Sequence, residues 1–181
     1  MSALPTYDDL ERLQWAKACF DEGQQLQGLL LHGRIAMIDD TIGGYRIRRG
    51  SVVGLSIYTM QRDPRWWGPD ADSYEPMRFY DKDIVAARPN LAFMPFGAGP
   101  HRCFGAAMGY LEAQFLLAQI HQRFRIQTPA GWVPEHDQVL AWPVKNGVPA
   151  VLTKAPTPAK RPERNLTDVS RPKESVPRTA G

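Results

Sequence analysis

The sequence has few cysteines and no long apolar run. Only two of its 181 residues are Cys, which argues against a disulfide scaffold and fits a reducing compartment. It contains no stretch of eighteen consecutive apolar residues, so we expect no membrane-spanning segment. Its first residues also lack the apolar centre of a signal peptide. These absences predict a cytoplasmic protein, and they leave open a membrane anchor in a region preceding Met1.

The charge of the chain is unevenly distributed. The formal net charge is +3 at pH 7, yet residues 154–181 alone carry seven Lys or Arg and three Asp or Glu. The rest is slightly acidic, so the basic balance does not predict a nucleic-acid-binding surface. Residues 154–181 also hold five of the sixteen prolines, and they have too little apolar surface to offset their ordering entropy. We therefore predict a folded part over 1–153 and a disordered, Pro-rich basic tail over 154–181.

The spacing of apolar residues predicts a mainly α fold with small β-sheets, of the α+β class. Apolar residues recur every three or four positions in the predicted helices and alternate in the predicted strands. The helices are expected at 8–27, 59–67 and 104–124, and the strands at 34–37, in one hairpin formed by 41–47 and 51–57, and in a second hairpin over 138–153.

One glycine-punctuated stretch, residues 96–105, carries the clearest chemical signal. It places Cys103 directly before the predicted helix 104–124, where backbone amides and the helix dipole favour negative charge. Gly97 and Gly99 allow backbone angles that other residues avoid, so the loop could lie against a flat ligand. The stretch therefore places Cys103 where a thiolate would be stabilised.

Three other kinds of site or turn could contain these residues. A zinc site fails because no second close-spaced Cys/His pair accompanies His101 and Cys103. A dinucleotide-binding loop fails because its third glycine would fall on Arg102. A glycine-rich turn holding a buried structural cysteine remains open.

The same stretch resembles the heme-binding signature of the cytochrome P450 family, the heme-thiolate monooxygenases. Family members carry either Arg or His at the position of His101. The resemblance implies heme b, iron protoporphyrin IX, as cofactor, with Cys103 as the axial ligand of the iron. The positions that agree with the signature are Phe96, Gly97, Gly99, His101, Cys103 and Gly105.

The resemblance also implies roles for the other site residues. Phe96 would pack beside the sulfur, and the three glycines would permit close approach to the ring. His101 and Arg34 would pair with the heme propionates, and His32 would replace Arg34 if the strand register slipped. No residue of this chain is assigned a catalytic role.

One departure from the family pattern concerns a buried ion network. The family has Glu-x-x-Arg in the helix before its hairpin. This chain keeps the glutamate as Glu22 and has Gln25 in place of the arginine. In the family, that Glu and Arg form a buried network with an arginine from the irregular segment before the heme-binding loop. In this chain that segment is residues 68–95, and the arginine would be Arg78. Removing one member of such a network costs about 3–5 kcal/mol, although Gln25 can still form hydrogen bonds. Gln61 also stands where the family often has His.

The likeness covers about residues 5–153 and corresponds to the C-terminal part of the family fold. Nothing here resembles the oxygen-activating helix or the helices of the substrate pocket. The implied function is the heme-binding part of a monooxygenase that inserts one atom of O2 into a small organic substrate. Electrons would come from a redox partner of the ferredoxin or flavin reductase type, and a missing N-terminal half would act in cis or in trans. The alternative is a truncated, non-catalytic heme-binding or interaction remnant.

Overall fold

The computed structural model describes residues 4–137 and 143–156. Its helices are α1 (Gln14–Gln27), α2 (Ile57–Met60), α3 (Pro64–Trp67), α4 (Met77–Tyr80), α5 (Lys82–Ala87) and α6 (Ala106–Arg123), with 3-10 turns at Tyr7–Arg12 and Gly99–His101. Its strands are β1 (Leu31–Ile35), β2 (Asp40–Ile42), β3 (Tyr45–Ile47), β4 (Val52–Ser56), β5 (Phe124–Gln127) and β6 (Val151–Lys154). The strands form small antiparallel pairs, so the predicted fold class is confirmed.

The long helix α1 packs against both α4 and α6. Its buried residues are Ala18, Asp21, Glu22 and Gln25, which share one helical face because they lie three or four positions apart. Three of these four side chains are polar, so the centre of the fold must be held by hydrogen bonds as well as by apolar packing. The predicted helix over 8–27 begins instead as a 3-10 turn, and α1 starts at Gln14.

The predicted hairpin of 41–47 with 51–57 was wrong. Gly43 and Gly44 both have positive φ, +57° and +85°, and this pair of angles makes a tight two-residue turn. The chain therefore reverses inside 41–47, and β2 pairs with β3. Strand β4 pairs with β1 instead, with Arg34 opposite Val53.

The predicted second hairpin, over 138–153, also differs from the structure. Strand β6 pairs with β5, which directly continues α6. A separate bridge joins His136 to Val144, and residues 138–142 lie outside the described residues. Strand β6 includes Lys154, and the N–H of Ala155 donates to the carbonyl of Arg123 at 2.7 Å. The predicted tail therefore overlaps β6 at its first residue, and its remainder from 157 onward lies outside the described residues.

Helix α6 follows the 96–105 stretch and packs against α1. Among its residues, only Ala106 and Gln114 are buried. Several apolar side chains along it are exposed, including Met108 at 63% and Leu116 at 57%. No helix in the described ranges is long and apolar enough to cross a membrane.

Candidate functional site

Residues 96–103 form a loop that closes on itself. The N–H of Cys103 donates to the carbonyl of Phe96 at 2.9 Å, so both ends of the loop are joined. The N–H of Gly97 donates to Met94 at 3.1 Å. Gly97 and Gly99 have φ of +73° and +72°, angles that a side chain strains. The glycine spacing seen in the sequence therefore corresponds to a real backbone requirement.

Cys103 is an exposed free thiol beside the N-terminal end of α6. Its carbonyl accepts from the N–H of Ala106 at 3.4 Å, and Gly105 caps the helix. A Cβ added to Gly105 would lie 3.8 Å from the Cys103 sulfur, which is ordinary contact. The eighteen-residue helix presents its free N–H groups at this end.

Phe96 is held by α6. Its ring centroid lies 5.2 Å from that of Tyr110, and a Cβ added to Gly109 would lie 3.6 Å from its ring. Phe104, next to the thiol, is fully exposed. A cavity of about 340 Å³ runs along the other loop residues, from Phe96 to Gly99, and Cys103 does not line it. The thiol therefore lies on an open face, which requires a wall from elsewhere to enclose a cofactor.

Strand β1 places two basic side chains against the loop. Arg34 donates to the carbonyl of Ala98 at 3.3 Å. A Cβ on Gly97 would lie only 2.7 Å from Cε1 of His32, so the imidazole packs directly on that glycine. His32 and Arg34 are two residues apart in one strand and share a face. The sequence treated them as alternatives that depend on register, but the structure brings both to the loop. His101 lies in the 3-10 turn and is exposed.

The contact between Gly97 and His32 leads to a matched pair of substitutions. For the heme binding that the resemblance implies, Gly97→Ala should weaken the affinity more than Gly99→Ala. Both positions have positive φ, which costs about 1–2 kcal/mol for a side chain, but nothing lies within 4 Å of a Cβ at Gly99. The difference between the two variants in a heme titration isolates the collision with His32. It should disappear when His32 is also changed to Ala, and a difference that persists would contradict the packing.

The predicted pair of Glu22 and Arg78 is present and buried. Arg78 Nη1 donates to Glu22 Oε1 at 2.8 Å, and the two side chains are 7% and 0% exposed. The N–H of Glu75 donates to the same oxygen at 2.8 Å. Arg78 also donates to the carbonyls of Ser73 at 2.9 Å and Asp70 at 2.6 Å. The pair therefore attaches the irregular segment before the loop, which contains Asp70, Ser73 and Glu75, to α1.

Gln25, at the position of the expected arginine, completes only part of this network. Its Nε2 donates to the carbonyls of Gln61 and Ala71. Within the described residues, Glu22 Oε2 and Gln25 Oε1 are buried without a partner. Burial raises the pKa of Glu22 above its ordinary value of 4.5, against the opposing bonds from Glu75 and Arg78. The second carboxylate oxygen therefore lacks a donor that an arginine could supply.

Restoring the arginine is expected to stabilise the chain. Gln25→Arg should add about 1–3 kcal/mol to the free energy of unfolding, because a buried acceptor gains a donor. With its raised pKa, Glu22 binds its proton more tightly when folded, so stability falls as pH rises from 4.5 through the folded pKa. The positive charge of the new arginine should make the free energy of unfolding depend less steeply on pH. Denaturation at several pH values measures that slope. A lower stability together with an unchanged slope would show that the arginine does not reach Glu22.

Arg88 is a member of this region that the sequence analysis missed. Its guanidinium lies 4.0 Å from the ring centroid of Trp67 and 4.7 Å from that of Phe79. It donates to the carbonyl of Arg78 at 2.7 Å, and burial lowers its pKa. The one sequence signal was a second arginine, after Arg78, within an aromatic-rich segment. Arg88 therefore brings a second, half-buried positive charge close to Arg78.

The donor set fits a heme better than a metal held by side chains. Among the described residues, no group of three or more His, Cys, Asp or Glu could hold a metal ion. Cys103 is a single soft ligand on an open face, and it suits an iron whose other ligands come from a macrocycle. The two basic side chains on β1 could meet carboxylates at the edge of such a ring.

Comparisons with known proteins agree on one family. A family model described as Cytochrome P450 matches residues 2–148. A Mycobacterium tuberculosis protein bearing the name cytochrome P450 132 is 37% identical over 145 residues, covering 80% of this chain and 31% of that protein. Rhazimal synthase of Alstonia scholaris is 36% identical over 132 residues, covering 72% of this chain and 26% of that protein.

Solved structures show the same similarity. The crystal structure of the cytochrome P450DA heme domain matches with a TM-score of 0.78 and 26% identity, over 87% of this chain and 35% of that one. A mutant of that domain gives the same TM-score. The chain spans about a quarter to a third of the length of the curated relatives it matches, 31% for the mycobacterial protein and 26% for rhazimal synthase.

Proposed function

The chain belongs to the cytochrome P450 family, and we propose that it is the heme-thiolate-binding part of a monooxygenase. Members of this family bind heme b. The observation that carries the proposal is the exposed Cys103 thiol, held at the end of a closed loop by its 2.9 Å hydrogen bond to Phe96. A bound heme would supply the oxygen chemistry, which thiolate ligation favours.

The residues of the chain would bind and shield this cofactor. Cys103 would donate its thiolate to the iron, and the N-terminal end of α6 would stabilise the negative charge. Arg34 and His101 would pair with the propionates. Phe96, fixed against Tyr110, would limit the access of water to the sulfur from its side.

The remaining parts of the reaction would come from outside the described residues. We propose a redox partner of the ferredoxin or flavin reductase type as the electron source, and a small organic compound as the substrate. The open face beside Cys103 and the exposed Phe104 support a pocket wall supplied by another segment, in cis or in trans. One oxygen atom of O2 would enter the substrate.

A non-catalytic heme-binding or interaction remnant is the second candidate. The observation that favours it is the buried Glu22 Oε2, which has no partner within the described residues. An incomplete network would hold the irregular segment less firmly and weaken support for the loop.

A heme titration followed by reduction and carbon monoxide binding tests the proposal. One heme per chain with the Soret position of thiolate ligation is the expected result. Heme binding with an imidazole-type spectrum would favour the remnant. An absence of saturable heme binding would contradict the cofactor role in both candidates.

A further inference from the structure

Gln61 connects the end of α1 to the segment that leads into the cysteine loop. The residue follows α2 and is 1% exposed. Its Nε2 donates to the carbonyls of Gln24 and Gln25, at 3.1 and 3.3 Å. Its Oε1 accepts from the N–H of Met94 at 3.1 Å. One buried amide therefore joins three parts of the chain that are distant in sequence.

The bonds to α1 meet a requirement of every helix end. The last four carbonyls of a helix have no partner within it, and α1 ends at Gln27. Gln61 satisfies two of these carbonyls, and Arg62 Nη2 donates to a third, that of Leu26. An aliphatic side chain at position 61 would leave buried carbonyls without donors, and this is costly.

Gln25 in turn forms a hydrogen bond to the backbone of Gln61. The Gln25 Nε2 donates to the carbonyl of Gln61, while the Gln61 Nε2 donates to the carbonyl of Gln25. Each side chain thus bonds the backbone of the other. Only a group with both a donor and an acceptor could take the place of Gln61, because its oxygen also serves Met94.

We propose that Gln61 is a positioning residue for the Cys103 loop. Two hydrogen bonds connect Gln61 to the loop. The N–H of Met94 donates to Gln61 Oε1 at 3.1 Å, and the carbonyl of Met94 accepts from the N–H of Gly97, also at 3.1 Å. Phe96, next to Gly97, accepts the bond from the N–H of Cys103 at 2.9 Å. Gln61 therefore fixes the entry of the loop whose exit carries the thiol. Its bearing on iron ligation rests on the proposed function.

Amide hydrogen exchange of Met94 tests the bond without any cofactor. Gln61→Met removes both polar atoms at similar volume and should speed exchange at Met94 about tenfold, the loss of one buried hydrogen bond. The matched control is Gln24→Met, because the half-buried Gln24 side chain forms no hydrogen bond within the described part of the chain. The control should leave Met94 exchange unchanged. Exchange within α6 should stay slow in both variants.

The ligation of the heme-loaded chain supplies the second measurement. Gln61→Met should lower the fraction of reduced, carbon monoxide-bound chain that shows the thiolate Soret position. Gln61→His should restore it, because imidazole can both donate and accept.

Four outcomes are decisive. Unchanged Met94 exchange in Gln61→Met overturns the inference, and so does an equal loss of protection throughout α6. An unchanged thiolate fraction beside faster Met94 exchange also overturns it, while leaving the proposed function intact. If Met94 exchanges faster in Gln61→Met but the unaltered chain shows no thiolate ligation, the proposed function is rejected instead.

Discussion

Replacing Cys103 with serine is expected to abolish thiolate ligation and to lower heme affinity by at least tenfold. The chain offers no second thiol at the loop, since the other cysteine, Cys19, lies on α1. Serine keeps the size and the backbone bond to Phe96, so the closed loop should persist. The change therefore isolates the proposed bond between sulfur and iron, on which the assignment of a heme-thiolate site depends.

The measurement is a heme titration read by absorbance, followed by reduction under carbon monoxide. Cys19→Ser is the control and should behave like the unaltered chain. Equal affinity and equal Soret positions in Cys103→Ser and the unaltered chain would show that Cys103 does not bind the iron.

Replacing Arg78 with glutamine is expected to cost about 3–5 kcal/mol of unfolding free energy, because it leaves the Glu22 carboxylate buried without its cation. Glu22 is fully buried, and one of its oxygens already lacks a partner within the described residues. Arg78 also donates to the carbonyls of Ser73 and Asp70. The loss should therefore extend to the irregular segment before the loop.

Chemical denaturation of the heme-loaded chain measures this effect. The matched control is Arg46→Gln, because Arg46 pairs with Asp39 at 2.9 Å on the surface, where both side chains are more than half exposed. An exposed pair of this kind contributes about 0–1 kcal/mol. Similar losses for the two variants would show that the buried network does not stabilise the fold.

The sequence predicted the loop because its glycine spacing is a local signal, whereas the network partners depend on residues that are distant along the chain. The glycines at 97 and 99 correspond to positive φ angles, and the distant residues Glu22 and Arg78 do form an ion pair. The resemblance to a family supplied that pairing, which spacing alone could not have given. The roles of Cys103, His101 and Arg34 toward heme stay predictions.

Strand pairing could not be predicted in the same way. The alternating residues of 41–47 suit one long strand, and only the positive φ of the glycine pair at 43–44 turns the chain back. This turn frees β4 to pair with β1. As a consequence, no pattern in the sequence placed His32 and Arg34 together beside the loop.

The hydrogen-bond partners of buried polar side chains could not be predicted from the sequence either. Gln25 and Gln61 both read as departures from the family pattern, yet the structure places each amide on the backbone of the other. The position of Arg88 over Trp67 depends on packing between distant segments. Such contacts need coordinates, because a side-chain amide or guanidinium can serve many partners.

X-ray absorption at the iron edge tests the central claim most directly. In the heme-loaded chain, and equally in Cys19→Ser, we expect one sulfur atom among the neighbours of the iron. That sulfur should be absent in Cys103→Ser. An iron surrounded only by nitrogen and oxygen in the unaltered chain would contradict the account.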